Sequence, residues 1–156
     1  MAILYKIADV PAEFEDAGKL FREYAASLSI DLCFQNFDEE KMTLDTQYNK
    51  PKGALILAYA EDTAVGCAGL RELDSQTAEL KRMYVKKEHR KSGIGVRLLE
   101  LILAKGIEFG YEKIRLDTLP DMQAAQALYR RFGFYEIPSY TFNPVNGVLY
   151  MEKQLI

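Results

Sequence analysis

Histidine occurs once and cysteine only twice in the 156 residues, and this scarcity narrows the chemistry at once. Cys33 and Cys67 have neither the spacing of a metal knuckle nor that of a redox pair, and two thiols suit a reducing compartment. A Ser-His-Asp or Cys-His nucleophile would depend wholly on His89, which stands among charged loop residues. With His89 alone and the acids scattered, no metal site is suggested. No apolar run approaches the ~18–20 residues that a membrane span needs. No secretory leader is visible, because Lys6 and then a run of acids precede any long apolar stretch. A cytoplasmic protein with no membrane partner is expected. The formal net charge of −3 lacks the basic excess of a nucleic-acid binder, so no nucleic-acid partner is expected. One local exception runs from Lys81 to Lys91, with six Lys or Arg against one acid, and it suits a small anionic ligand.

What is present is a globular composition. Apolar residues make up 49% and charged residues 28%, enough for one domain over 1–156 to bury a core without disulfides or a structural metal.

Periodicity sets out the elements. A short strand at 3–8 leads to Asp9 as a helix cap and Pro11 in the first turn. Phe14, Ala17, Leu20, Phe21, Tyr24 and Leu28 then recur at helical spacing. The stretch 30–37 breaks that period and reads as a loop packed over a site. Asp38 caps a second helix that reaches about Tyr48, with Glu39 and Glu40 where the dipole favours acids. Strands at 54–60, 63–73 and 78–85 form an antiparallel meander. A long helix from 93 or 94 to about 109 carries Leu98, Leu99, Ile102 and Ile107 as its buried stripe and stops at Gly110. A strand at 113–118, a helix at 122–132 ended by Gly133, and strands at 134–137 and 148–153 complete the order β-α-α-β-β-β-α-β-α-β-β. The strand-helix-strand unit between 78 and 118 implies one parallel pair. The whole is an α/β structure with a mixed sheet. An exposed closing strand after Val148 would be able to pair in a dimer, so a monomer and a homodimer both stay open.

The run Arg90-Lys91-Ser92-Gly93-Ile94-Gly95 lies between a strand and a helix. Two glycines let the backbone curl around a ligand and point successive N–H groups inward. The helix N-terminus adds orphan donors and a partial positive charge. Together these make a pyrophosphate site, with Lys86, Lys87, Arg90 and Lys91 around it. An ordinary tight turn would use the same two glycines, so the surroundings decide. The P-loop spacing Gly-x-x-x-x-Gly-Lys-Ser/Thr is absent. The dinucleotide fingerprint needs a small residue where Leu98 stands, and a parallel run where this loop follows an antiparallel meander.

The run Arg90-x-x-Gly93-x-Gly95 resembles the Arg/Gln-x-x-Gly-x-Gly/Ala signature of the GNAT N-acetyltransferase superfamily. Upstream, Leu80-Lys81-Arg82-Met83-Tyr84-Val85 is similar to that family's fourth strand. Downstream, Ala125-x-x-Leu128-Tyr129-Arg130-x-Phe132-Gly133-Phe134 resembles its second block, Ala-x-x-Leu-Tyr-x-x-x-Gly-Phe. The match spans about 78–135. Met122 departs from the Asn often found seven residues before that Tyr, and Ser92 stands where Gly or Arg is common. The resemblance implies a mixed, mostly antiparallel central sheet flanked by helices, and acetyl-CoA as co-substrate.

It also implies roles. The loop residues Arg90, Lys91, Ser92, Gly93, Ile94, Gly95 and Val96 would take the pyrophosphate. The backbone of Met83, Tyr84 and Val85 would pair with the pantetheine arm, entering a splayed gap between the strands at 78–85 and 113–118. Tyr129 would protonate the leaving thiolate, and Glu79 would act as base through a water. Arg82 or Lys81 would bind an anionic group on the acceptor, with Phe34 and Gln35 beside Cys33 and Phe37 on the acceptor wall. Tyr140 and Tyr150 would close the other side. The expected reaction is direct acetyl transfer to a primary amine of a small molecule or amino acid. A protein lysine or N-terminus as acceptor, and a non-catalytic acyl-CoA-binding module, are the alternatives.

Overall fold

The computed structural model describes residues 2–27, 48–49, 52–141, 143 and 145–156. The loop expected at 30–37 and the helix expected from Asp38, with Cys33, Phe34 and Gln35, lie outside the described residues. Strand β1 (Ile3–Ile7) is followed by helix α1 (Pro11–Ser27). Strands β2 (Ala54–Ala60), β3 (Thr63–Glu72) and β4 (Thr77–Val85) form the meander. A short 3₁₀ turn (Lys87–His89) precedes helix α2 (Ile94–Glu108). Strand β5 (Lys113–Thr118), helix α3 (Gln123–Arg131) and strands β6 (Tyr135–Ile137) and β7 (Leu149–Gln154) complete the described chain.

The seven strands form one sheet in the order β1-β2-β3-β4-β5-β7-β6, antiparallel everywhere except the β4–β5 pair. The strand after Val148 therefore does not sit at an exposed position. It is inserted between β5 and β6, and the open edges belong to β1 and β6. An antiparallel partner on each side satisfies its backbone groups, which removes it as a dimer edge.

Apolar side chains are buried on both sheet faces. Leu55 and Leu57 of β2 pack with Phe14, Ala17, Leu20 and Phe21 of α1, while Ile56 and Ala58 pack with α2. That is why β2 reads as an unbroken apolar run rather than an alternating one. The start of α1 is held by Glu13, whose carboxylate accepts the Asp9 N–H at 2.9 Å, the return half of a capping box.

Helix α2 buries Ile94, Leu98, Leu99, Ile102 and Gly106, whereas Ile107 is 57% exposed. The expected stripe thus fails at its last member. Steps of four from Leu98 reach Ile102 and then Gly106, and Ile107 stands about 100° off that line. Glycine fits closely there: a Cβ would meet the side-chain tips of Ile114 and Leu155 at 3.0 Å each, and both would have to shift.

The sheet opens where β4 meets β5. Parallel pairing covers only Thr77↔Lys113, Ala78↔Ile114 and Glu79↔Arg115. Past Glu79 the paired register ends. On the other side of β4, Gly69 pairs with Lys81 and Cys67 with Tyr84, so β4 spends three steps where β3 spends two. The extra residue is taken up at a bulge around Arg82, a non-glycine at φ +56°. The Arg82 carbonyl accepts the Cys67 thiol at 3.3 Å. Burial pushes that thiol up from its ordinary pKa, so Cys67 is an inert core group.

Candidate active site

After β4 the chain turns through the 3₁₀ segment and reaches Lys91 and Gly93, both left-handed (φ +65° and +89°). Gly93 caps α2 without a side-chain hydrogen bond, and a Cβ built there would meet nothing within 4 Å. The first helical bond runs from the Arg97 N–H to the Gly93 carbonyl at 3.1 Å. The amides of Ile94, Gly95 and Val96 come before it and carry the orphan donors of the helix end. Ser92 tightens the turn by donating its hydroxyl to the His89 carbonyl. Arg90 is fixed by its Nε, which donates to the Val85 carbonyl at 2.8 Å, with its guanidinium 5.6 Å from the centre of the Tyr84 ring. Tyr84 in turn donates to Glu23 of α1. The loop is thus a turn of fixed shape, exposed from Lys91 to Gly93, that leads into the first-turn amides of a helix, the arrangement that anions favour.

Beside this loop, a cavity of about 70 Å³ fills the gap where β4 and β5 separate. Leu80 to Met83 form one wall and Leu116 to Leu119 the other, with Tyr24, Met122, Ala125, Tyr129 and Asn143 around them. Tyr129 is nearly buried, its ring tilted against Phe134 at 5.7 Å and its hydroxyl 3.9 Å from the Met83 sulfur. Burial, with Tyr24 and Asp117 nearby, pushes this phenol up, so it stays protonated and acts as a donor. The buried Thr118 hydroxyl has no hydrogen-bond partner among the described residues. Lys81 is buried too, and loss of hydration lowers its pKa against the opposing pull of Glu79 and Asp117.

Of the residues singled out from sequence, Lys81, Arg82, Met83 and Tyr129 line this cavity together. Tyr84, Val85 and the loop from Arg90 to Val96 do not line it, and the loop comes near where a Cβ built at Gly95 would lie 3.5 Å from Met83 Cε. Glu79 does not line it. Its Oε1 accepts Arg71 Nε and Nη2, each at 3.0 Å, and its Oε2 accepts the Tyr140 hydroxyl at 2.7 Å. Tyr140 is itself stacked under Arg115 (5.5 Å) and edge-on to Tyr150 (5.5 Å). The carboxylate that does reach the cavity is Asp117, which receives Asn143 Nδ2 at 3.4 Å. Sequence reasoning did not single out Asp117. The available signal was the alternation Lys113, Arg115, Asp117 along a strand whose other face is apolar, a polar face on a strand deep in the sheet.

The family model for the acetyltransferase (GNAT) family matches residues 19–134. An uncharacterised N-acetyltransferase of Schizosaccharomyces pombe is 34% identical over 148 residues, covering 94% of this chain and 91% of that protein. Among solved structures, a GNAT-family acetyltransferase from Staphylococcus aureus superposes with a TM-score of 0.83 at 24% identity, covering 99% of this chain and 100% of that one. PaiA N-acetyltransferase from Thermoplasma acidophilum, solved with coenzyme A, has a TM-score of 0.76 at 20% identity and covers 99% of each chain. The chain belongs to the GNAT acetyltransferase family and is an acyl-CoA-dependent N-acyltransferase. No helix among the described residues is long and apolar enough to cross a membrane.

Proposed function

We propose that the protein transfers an acetyl group from acetyl-CoA to a primary amine of a small molecule by direct attack with both substrates bound. The observation that carries this reading is the splayed β4–β5 gap, lined by Met83 and Tyr129, with the first turn of α2 reaching Met83 at Gly95. The residues present fit a thioester on a pyrophosphate-bearing arm. The space over Gly93 is open, and the Thr118 hydroxyl is buried without a partner among the described residues. Acetyl-CoA would supply the activated acyl carbon and a thiolate leaving group.

In this proposal the amides of the loop from Lys91 to Val96 hold the pyrophosphate, the Arg90 N–H being already donated to the Lys87 carbonyl, and the side chains of Lys91 and Arg90 add charge. The edge of β4 at Met83, Tyr84 and Val85, which β5 leaves unpaired, offers its backbone to the pantetheine amides as an added strand would be offered. Tyr129 donates its proton toward the sulfur as the thiolate leaves. Arg82, at the bulge, faces the acceptor. Glu79, bound by Arg71 and Tyr140, holds the acceptor wall in shape. A small cavity closed on several sides supports a small acceptor over a peptide, which needs an open groove.

The test is calorimetric titration of the purified protein with acetyl-CoA, coenzyme A and ATP, followed by an amine panel. Saturable one-site binding of the first two but not ATP, with acetylation of a small amine, is the expected result. Absence of binding to either thioester or thiol overturns the proposal. Turnover on peptides alone replaces the small acceptor with a protein one.

A further inference from the structure

Acetyl transfer to an amine needs a group that takes a proton from it. An amine bound from water arrives as an ammonium, and it attacks only after losing a proton. Glu79, the carboxylate that family resemblance offers for this task, has one oxygen closed by Arg71 and the other by Tyr140, and it lies outside the cavity. It stands at the last paired position of the β4–β5 seam, opposite Arg115.

Asp117 stands two residues further along β5, past the last paired position, and it lines the cavity. Among the described residues it is the one carboxylate that does so. Its hydrogen-bond partner is Asn143, at a long 3.4 Å, and that amide donates to Oδ2. Its surroundings are set from every side: Lys81 and Arg82 on β4, Tyr24 on α1, Tyr129 on α3, Tyr140 on the β6–β7 connection, and Tyr150 across the pair with β7. Burial raises the phenols at Tyr24 and Tyr129, so both stay neutral in the cavity.

We infer that Asp117 receives the acceptor as its ammonium form and takes the proton that frees the amine. This rests on the amine-acetylation reading above. One proton passes from the ammonium nitrogen to the Asp117 carboxylate and from there to solvent. The freed nitrogen pair forms the bond to the acyl carbon while the carbon–sulfur bond breaks. Tyr129 gives its proton to the departing sulfur and recovers one from the new nitrogen, which ends as a neutral amide N–H. The net products are amide, thiol and one released proton, so charge and atoms balance. Asn143 orients the carboxylate and is a positioning residue.

The experiment compares wild type with Asp117→Asn, Asp117→Glu and Glu79→Gln on one amine identified from the panel, across pH 6–10. Coenzyme A affinity is measured in parallel to confirm an intact fold. Asp117→Asn is expected to lower kcat by roughly 100-fold or more near neutral pH, the range for loss of a general base. Its remaining rate should climb about tenfold per pH unit toward the amine's own pKa near ~10, because only pre-deprotonated amine can react. Asp117→Glu is expected to restore part of the rate and flatten that climb. Glu79→Gln should keep the wild-type pH dependence whatever it costs in KM. The assignment is overturned by an Asp117→Asn enzyme whose kcat and pH profile match wild type, or by the steep profile appearing in Glu79→Gln instead. A wild-type protein that binds acetyl-CoA and acetylates no amine removes the broader reading, and this inference with it.

Discussion

The two halves of the β4–β5 seam share strands and residue types yet have opposite characters. In the closed half, from Thr77 to Glu79, the backbones pair and the carboxylate of Glu79 is consumed by Arg71 and Tyr140. In the open half, from Leu80 onward, the backbones part and Asp117 receives Asn143 at a long 3.4 Å; a buried hydroxyl without a partner among the described residues occurs in each half, at Thr118 and at Thr77. The lesson is that a carboxylate's part is decided by what its strand neighbours leave unfilled. Where the ladder is complete, charge is spent on holding the sheet. Where it ends, the Asp117 carboxylate is left lining a cavity.

Mutations on either side should divide accordingly. The largest effect expected is from Gly93→Asp, which sets a side chain in a left-handed position and a negative charge against the anion site. It should weaken coenzyme A binding by roughly 100-fold or more, measured by calorimetry, with a melting temperature lowered by only a few degrees from the strain of a Cβ at φ +89°. Near-normal affinity would detach the loop from the cofactor. On the closed side, Arg71→Leu leaves Glu79 buried with Tyr140 alone. Because Arg71 is partly exposed, the cost in unfolding free energy is set below that of a fully buried pair, at about 2 kcal/mol by urea melts, with coenzyme A affinity little changed. A loss of affinity without a loss of stability would erase the contrast. Tyr129→Phe should lower kcat about tenfold at unchanged cofactor affinity, since one donor to the leaving sulfur is removed. Unchanged turnover would take Tyr129 out of the chemistry. The smallest effect is expected from Thr118→Val, which removes a hydroxyl unpartnered among the described residues. Stability should hold or rise by up to about 1 kcal/mol, and a loss larger than that would show the hydroxyl to be bonded in the free protein.

Much of this was legible in the sequence, and the reasons differ by element. The order of strands and helices followed from local signals: Gly110 and Gly133 at helix ends, alternation in β4, and the loop glycines before α2. Each of these is written within a few residues. The turn proposed to hold the cofactor was legible for the same reason, because the left-handed turn at Gly93 and the helix end after it are contiguous in the chain. The bulge at Arg82 was not, since it arises from a count across two strands and places a non-glycine at positive φ. Asp117 was hidden likewise. Its value comes from β4 having left the seam, which no feature of 113–118 announces. The position of β7 was misjudged because pairing order is a property of the whole sheet, and Ile107 because apolar character alone does not fix angular position on a helix.

The placement of β7 also bears on how the molecule is assembled. The last strand in chain order enters an interior slot, between β5 and β6. Until it is made and inserted, β5 has an unpaired edge, Arg115 has no Glu152 to meet at 2.8 Å, and Tyr150 is not yet beside Tyr140. During synthesis the cofactor loop and its helix can form early, from neighbouring segments. The acceptor wall must wait for contacts between residues far apart in sequence, which are slow to close and leave a strand edge exposed meanwhile. The protein should therefore pass through a stage that presents the turn before α2, proposed to bind the cofactor, ahead of the wall around Tyr140 and Tyr150. A cofactor bound at that stage would act as a template for the folding that remains.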